Sequence, residues 1–330
     1  MPELPIFLAL FVACALVFDF LNGFHDSSNI VATMITSHAL SPRLALAITA
    51  IAHFFGPFMF GVAVATTLGH EVLNDQQVKL SVAMSALIAA TVWNLITWWM
   101  GIPSSSSHAL VGGLIGAAVV ESGWAVVKMV GLTKVIIALT ASPLIGLTAG
   151  YLVMKTVLFL ARGASPAVNI LFKQGQIVTA ITLALSHGTN DAQKTMGMIT
   201  LGLVSSGVLP TFEVPWWVIF ISAGAIALGT WMGGWRLIKT IGSKFFKVRP
   251  VHGFTTQVTS ATVILAASLV GGPVSTTQVV SSALMGVGSA ERVSKVRWET
   301  GAQIVLAWIT TIPFSAILAA LLAIIMGRWT

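Results

Sequence analysis

Two short stretches of the sequence place ionisable and amide side chains where they could bind ions. The first reads Asn22-Gly23-Phe24-His25-Asp26-Ser27-Ser28-Asn29, and the second reads Ser186-His187-Gly188-Thr189-Asn190-Asp191-Ala192-Gln193-Lys194. Asp26 and Asn29 are three residues apart and share a helix face, as do Asp191 and Lys194. The first pair offers carboxylate and amide oxygens to a cation. In the second, Lys194 is placed to meet an anion while Asp191 takes a coupling cation. A purely structural Asp191–Lys194 pair is the bland alternative. Glycine frees the backbone, and Asp, Ser and Asn compete for amides as helix caps. A helix break at each glycine is therefore expected, aiming N–H groups and the positive dipole end at one spot.

A second kind of motif is rich in hydroxyls. Pro103-Ser104-Ser105-Ser106-Ser107-His108 and Pro273-Val274-Ser275-Thr276-Thr277-Gln278 each follow a long apolar run and precede a short one. Proline ends a helix, and hydroxyls both donate and accept hydrogen bonds. A half-helix starting after them would present N–H groups to an oxyanion, with Ser105, Ser106, Ser107, Ser275, Thr276 and Thr277 beside it. A solvated loop is the alternative reading.

The elements that must position these residues lie in lipid. Only 8% of the chain is charged, about a third of the usual share, and the mean hydropathy is +0.93. Residues 4–21, 44–68, 79–100, 131–154, 215–234, 254–271 and 301–326 are apolar and close to the length of a membrane-spanning helix. Shorter apolar runs cover 109–120, 177–185, 195–208 and 279–287. No alternation at period two appears, so the expected fold is an all-α polytopic membrane protein of about 10–12 embedded helical elements. The mixture of lengths predicts broken helices and re-entrant half-helices. The lone Cys14 excludes a disulfide framework, and the amino terminus lacks the basic stretch of a cleaved signal peptide.

The landmarks recur. Gly23–Asp26 and Gly188–Asp191 are offset by 165, the two Pro-hydroxyl motifs by 170, and Pro143 and Pro313 again by 170. This predicts two related halves, 1–165 and 166–330, with the substrate site between them and the boundary in the interrupted stretch 162–176. Residues 66–78 carry Glu71 and Asp75, whereas the equivalent 236–248 carry Arg236, Lys239, Lys244 and Lys247. Opposite charge bias places equivalent loops on opposite membrane faces, so the repeat is expected to be inverted. The net charge of +7 then reflects basic cytoplasmic loops rather than nucleic-acid binding.

Ionisable groups inside spans cost about 2.5–3.5 kcal/mol each near a helix centre and usually face a polar cavity. Asp26 and Asp191 recur in both halves and are read as functional. Asp19 and His53 have no counterpart and are read as structural or interfacial. Ser, His and Asp are present, but no nucleophile elbow, zinc-protease or phosphate-loop motif accompanies them. An enzyme is not expected; an intramembrane hydrolase or lipid-modifying enzyme is the distant alternative.

At these residues the chain resembles the inorganic phosphate transporter family often called PiT. Its Gly-x-Asn-Asp-x-x-Asn element stands here as Gly23-Phe24-His25-Asp26-Ser27-Ser28-Asn29 and Gly188-Thr189-Asn190-Asp191-Ala192-Gln193-Lys194, with the Pro-hydroxyl segments between. His25 and Lys194 replace family asparagines, as in the bacterial low-affinity branch. The resemblance implies a symporter of inorganic phosphate, partly as neutral metal-phosphate complexes, in the cell inner (plasma) membrane. It also implies coupling to protons rather than sodium, and no cofactor. Substrate contacts are expected from Asp26, Asn29, Asn190, Asp191, Lys194 and the hydroxyl segments, and cation coupling from His25, Asp26, Asn190 and Asp191. Sodium or a divalent metal-phosphate complex at Asp26 and Asp191 stays open, as does a homodimer. A sulfate permease on the same scaffold is the runner-up. Phosphate near neutral pH carries a proton that a carboxylate can accept as a hydrogen bond, and sulfate carries none.

Overall fold

The structure, a computed structural model, describes residues 3–74, 77–235, 237–238 and 248–327. Among these, eleven helices follow one another with no strand, apart from one isolated bridge between Leu73 and Val127. They are α1 (Glu3–Thr36), α2 (Pro42–Met59), α3 (Ala63–Thr66), α4 (Leu80–Met100), α5 (Ser106–Ser122), α6 (Met129–Leu160), α7 (Val168–Ser205), α8 (Trp216–Met232), α9 (Pro250–Leu269), α10 (Thr276–Glu291) and α11 (Trp298–Met326). Six of them, α1, α2, α4, α6, α7 and α11, are long and apolar enough to cross a membrane. Large apolar side chains such as Leu152, Val178, Ile309 and Leu321 stand exposed, as a lipid solvent permits. Polar side chains turn inward instead, the reverse of a water-soluble protein.

The expected breaks at Gly23 and Gly188 are absent. α1 runs without interruption through Asn22–Asn29, and α7 through Ser186–Lys194. The runs 177–185 and 195–208 are therefore parts of one 38-residue helix. These glycines allow close approach rather than a turn. A Cβ at Gly23 would lie 2.2 Å from the Ile226 carbonyl oxygen of α8, and one at Gly188 would lie 2.6 Å from the His53 carbonyl oxygen of α2. Each motif helix is thus pressed against a helix distant in sequence, α1 on α8 and α7 on α2. Polar neighbours of the two aspartates tie down the chain where those partner helices end. Gln193 accepts from the Val64 and Ala65 amides at 2.7 and 3.3 Å and donates to the Gly61 carbonyl at 2.7 Å. The Ser27 hydroxyl accepts from the Gly234 amide at 3.0 Å.

The chain does break at the hydroxyl motifs. α4 ends at Gly101, whose φ of 69° suits glycine, and α5 restarts at Ser106. Lys79, capping the start of α4, lies 2.7 Å from Glu121 in the last turn of α5. The α4–α5 unit therefore goes in and returns to one side. The α9–α10 unit repeats the design: Arg249 caps the start of α9 and pairs with Glu291 at the end of α10. At the two tips, the Ser107 hydroxyl donates to the Val274 carbonyl at 3.0 Å, and the Gln278 amide lies 3.5 Å from the His108 ring. α5 packs on α11, and α10 on α6.

The loop charges used above to orient the halves are partly modified. Glu71 pairs with Lys134 at 3.0 Å, and Lys128 donates to the His70 carbonyl at 2.8 Å, so basic residues from α6 and its approach balance this acidic loop. Asp75, Arg236, Lys239, Lys244 and Lys247 lie outside the described residues.

Candidate functional site

The half-helices α5 and α10 begin where α1 and α7 pass each other. Serine caps both starts: Ser105 Oγ accepts from the His108 amide at 3.1 Å, and Ser275 Oγ from the Gln278 amide at 3.3 Å. The remaining first-turn amides have no carbonyl partner within their own helix and carry the positive end of its dipole. Capping by serine, rather than by an acid, leaves that positive end available to a ligand.

Asp26 and Asp191 converge on the start of α10. Thr276 Oγ1 lies 3.2 Å from Asp26 Oδ2 and 3.1 Å from Asp191 Oδ2, so one hydroxyl spans both carboxyl groups. Thr277 donates to Asp26 Oδ1 at 2.9 Å while accepting from Asn29 Nδ2 at 3.1 Å. His25 Nδ1 stands 2.8 Å from Asp26 Oδ1. Lys194 pairs with Asp191 Oδ1. Asp26, Asp191, His25, Asn29, Lys194, Thr276 and Thr277 are all buried, with Lys194 fully enclosed. Burying an ionised group without a partner costs far more than pairing it, and this explains why every charge here has one.

The remaining expected residues are placed less directly. Asn190 points its amide away, to Ser268 Oγ at 2.8 Å and the Gly272 carbonyl at 3.3 Å. It secures the turn before α10, and its own carbonyl oxygen is unpartnered. Ser105 and Ser275 are helix caps, and Ser105 Oγ also lies 2.7 Å from His108 Nδ1. Ser107 spends its proton on Val274, and Ser106 is buried beside it. The hydroxyls that reach the carboxylates therefore come from α10, not from α5.

His187 is a site residue that sequence reasoning does not single out. Its Nε2 is 3.9 Å from Asp26 Oδ2 and its Nδ1 is 3.3 Å from Asp191 Oδ2. One donor atom each from Asp26, His187 and Asp191 all fall within 4.8 Å of one another, close enough to share one cation. The available signal is its spacing, four residues before Asp191 on the same helix face. His53, read as structural or interfacial, stacks on His187 with ring centroids 4.9 Å apart and sets its Nδ1 2.7 Å from Thr230 Oγ1. It is fully buried, as is Asp19, so neither lies at an interface with water or lipid headgroups.

The chemistry available is ion binding. Two carboxylates, one ammonium and two imidazoles surround a pair of threonine hydroxyls at a helix start. With neutral imidazoles the cluster carries one net negative charge. That net charge repels a bare oxyanion.

Comparison with known proteins agrees with this chemistry. The profile described as the Phosphate transporter family matches residues 22–319. A Bacillus subtilis (strain 168) protein named "Probable low-affinity inorganic phosphate transporter" is 42% identical over 99% of both chains. A Rhizobium meliloti protein of the same name is 44% identical over 96% of this chain and 95% of its own. Among solved structures, one described as "The sodium-dependent phosphate transporter" superposes with a TM-score of 0.88 at 25% identity, covering 98% of this chain and 99% of that one. These are transporters, so the intramembrane-hydrolase alternative is set aside. The chain is a multi-pass membrane protein of the phosphate transporter family.

Proposed function

We propose that the protein is a symporter that carries inorganic phosphate together with protons, binding both at the Asp26–Thr276–Asp191 bridge. The observation that carries this reading is the single Thr276 hydroxyl within 3.2 Å of two carboxyl groups. A threonine hydroxyl has one proton, which it gives fully to one of them or shares weakly between both. The second contact closes as a full two-centre hydrogen bond when that carboxyl carries a proton and donates in return. The bridge therefore fits a proton held between the two aspartates. Phosphate entering here would take over the hydroxyls of Thr276 and Thr277, the first-turn amides of α10 and the Lys194 ammonium. Its own hydroxyl would donate to a carboxylate, an interaction sulfate cannot make. A divalent cation bound to the phosphate would offset the charge of the two carboxylates where no proton does.

Sodium is the second reading. The convergence of Asp26, His187 and Asp191 within 4.8 Å favours it, as does the sodium dependence that the solved relative carries in its name. Radiolabelled phosphate uptake into proteoliposomes, competed with sulfate, arsenate and divalent metals, tests the substrate. Strong competition by arsenate and weak competition by sulfate is expected; the opposite order would make the sulfate permease the better reading.

The transport unit in this reading is two inverted repeats, 1–165 and 166–330, with the site between them. The paired latches Lys79–Glu121 and Arg249–Glu291 support it, since both members are offset by 170. The tip-to-tip meeting of α4–α5 with α9–α10 and the exchanged packing of α1 on α8 and α2 on α7 support it too. The exposed residues Trp124 and Ser294 follow the two half-helices at the same offset. Single cysteines there, on a Cys14→Ala background, should react with an impermeant thiol reagent from opposite sides of the membrane. Labelling of both from one side would exclude the inverted arrangement.

A further inference from the structure

Asp19 sits on α1 seven residues before Asp26, about 10 Å along the helix, and the transport site described above does not include it. Its side chain is fully buried, and neither carboxyl oxygen has a hydrogen-bond partner. Asn22, one turn on and also fully buried, has neither amide atom partnered. From α7, the Thr195 hydroxyl approaches Asp19 without closing a hydrogen bond. Three adjacent polar side chains are thus enclosed with unused bonding capacity, where buried polar groups are normally satisfied.

The charges around Asp19 are few. α7 supplies Asp191 and Lys194, which act on it through space. α4 and α8 contain no titratable side chain. α2 brings His53, which is engaged with His187 and Thr230. α9 and α10 set their own titratable groups, His252 and Glu291, against each other. Among the described residues, Lys194 is the cation that acts on Asp19, and it is paired with Asp191. An ionised Asp19 would stand as an uncompensated buried charge, which costs several kcal/mol; its neutral form would not.

We propose that Asp19, with Asn22 and Thr195, is a second proton-accepting site, two helical turns from the phosphate pocket, and that it takes up and releases a coupling proton. A metal cation fits less well. Asp19, Asn22 and Thr195 offer one carboxylate, against the two carboxylates and imidazole of the Asp26–His187–Asp191 group, and α1 is continuous through Asp19 and Asn22 and α7 through Thr195. Their carbonyls are committed to helical hydrogen bonds. The link to the pocket is Lys194. When phosphate draws its ammonium from Asp191, the field at Asp19 changes, so binding in one site is felt as proton affinity in the other. This rests on the proton-coupled reading above.

Two readouts test it separately. Infrared difference spectra of the purified protein should contain a protonated-carboxyl band, shifted by deuterium exchange, that is missing in Asp19→Asn. In proteoliposomes, Asp19→Asn should retain phosphate binding and phosphate–phosphate exchange. Its accumulation under an imposed pH gradient should fall to the level reached without one, and Asp19→Glu should restore it. A carboxyl band unchanged by Asp19→Asn overturns the assignment, whichever ion drives transport, as does wild-type accumulation by that variant. Wild-type uptake indifferent to the pH gradient defeats the proton-coupled reading; a band lost in Asp19→Asn would then leave Asp19 a buried neutral acid without a coupling role. Should Asp19→Asn fail to fold, a band moved in frequency by Asp19→Glu supports the assignment and an unmoved band overturns it.

Discussion

Asp26→Asn and Asp191→Asn should each fold and reach the membrane yet lose most phosphate transport. Each exchange keeps the side-chain size and removes a charge. Asp26 accepts from Thr276 and Thr277 and lies beside His25; Asp191 holds Lys194 and shares Thr276. Losing one hydrogen bond to a charged group costs about 1.5–3 kcal/mol, roughly tenfold or more in affinity. The amide also cannot bind and release a proton. Transport should therefore fall further than binding does. The pair of measurements is phosphate affinity of the purified variant and uptake into proteoliposomes. Uptake at the wild-type rate in both variants would move the site elsewhere.

Lys194→Ala should destabilise the cluster, as Asp191→Asn does from the other side of the same buried pair. Lys194 is fully enclosed and is the cation paired with Asp191. Removing one partner of a buried ion pair costs about 3–5 kcal/mol, because the other charge is left uncompensated. The expected result is a lower thermal midpoint in detergent and no measurable phosphate binding. A double variant, Lys194→Ala with Asp191→Asn, should recover stability without recovering binding, since the stranded charge is gone but so is the anion's partner. Lys194→Arg should restore charge but not transport, because a planar fork cannot take the place of a compact ammonium in so tight an enclosure. Equal stability of wild type and Lys194→Ala would mean that Asp191 finds another partner.

Much of this site is legible in the order of residues alone. Asp26, Asp191 and Lys194 stand out because an ionisable residue in an apolar span needs a reason to be there, and the chain offers few. The Pro-hydroxyl segments mark true chain breaks, since proline and a serine cap act locally. The glycines mislead, because glycine serves both sharp turns and close helix contacts. Which use applies at Gly23 depends on Ile226, two hundred residues away. The dips in hydropathy around residues 22–29 and 186–194 resemble interruptions, yet α1 and α7 continue through them. There the polar side chains face the protein interior, and a hydropathy dip records chemistry rather than helix continuity. His187 lacks a repeat partner and so escapes notice, although its reach to both carboxylates comes from helix geometry alone. Nor can spacing reveal that Thr276, rather than a serine of the first half, bridges the aspartates; the tertiary register of α10 against α1 and α7 decides that.

The claim that ties these observations together is that phosphate and a proton share the Thr276 bridge. Its most direct test is radiolabelled phosphate flux into proteoliposomes of the wild-type protein, under an imposed pH gradient without sodium and then under a sodium gradient without a pH difference. The account predicts uptake that follows the pH gradient, with dissipation of that gradient accompanying phosphate entry. Uptake that follows sodium and ignores the pH gradient would contradict it.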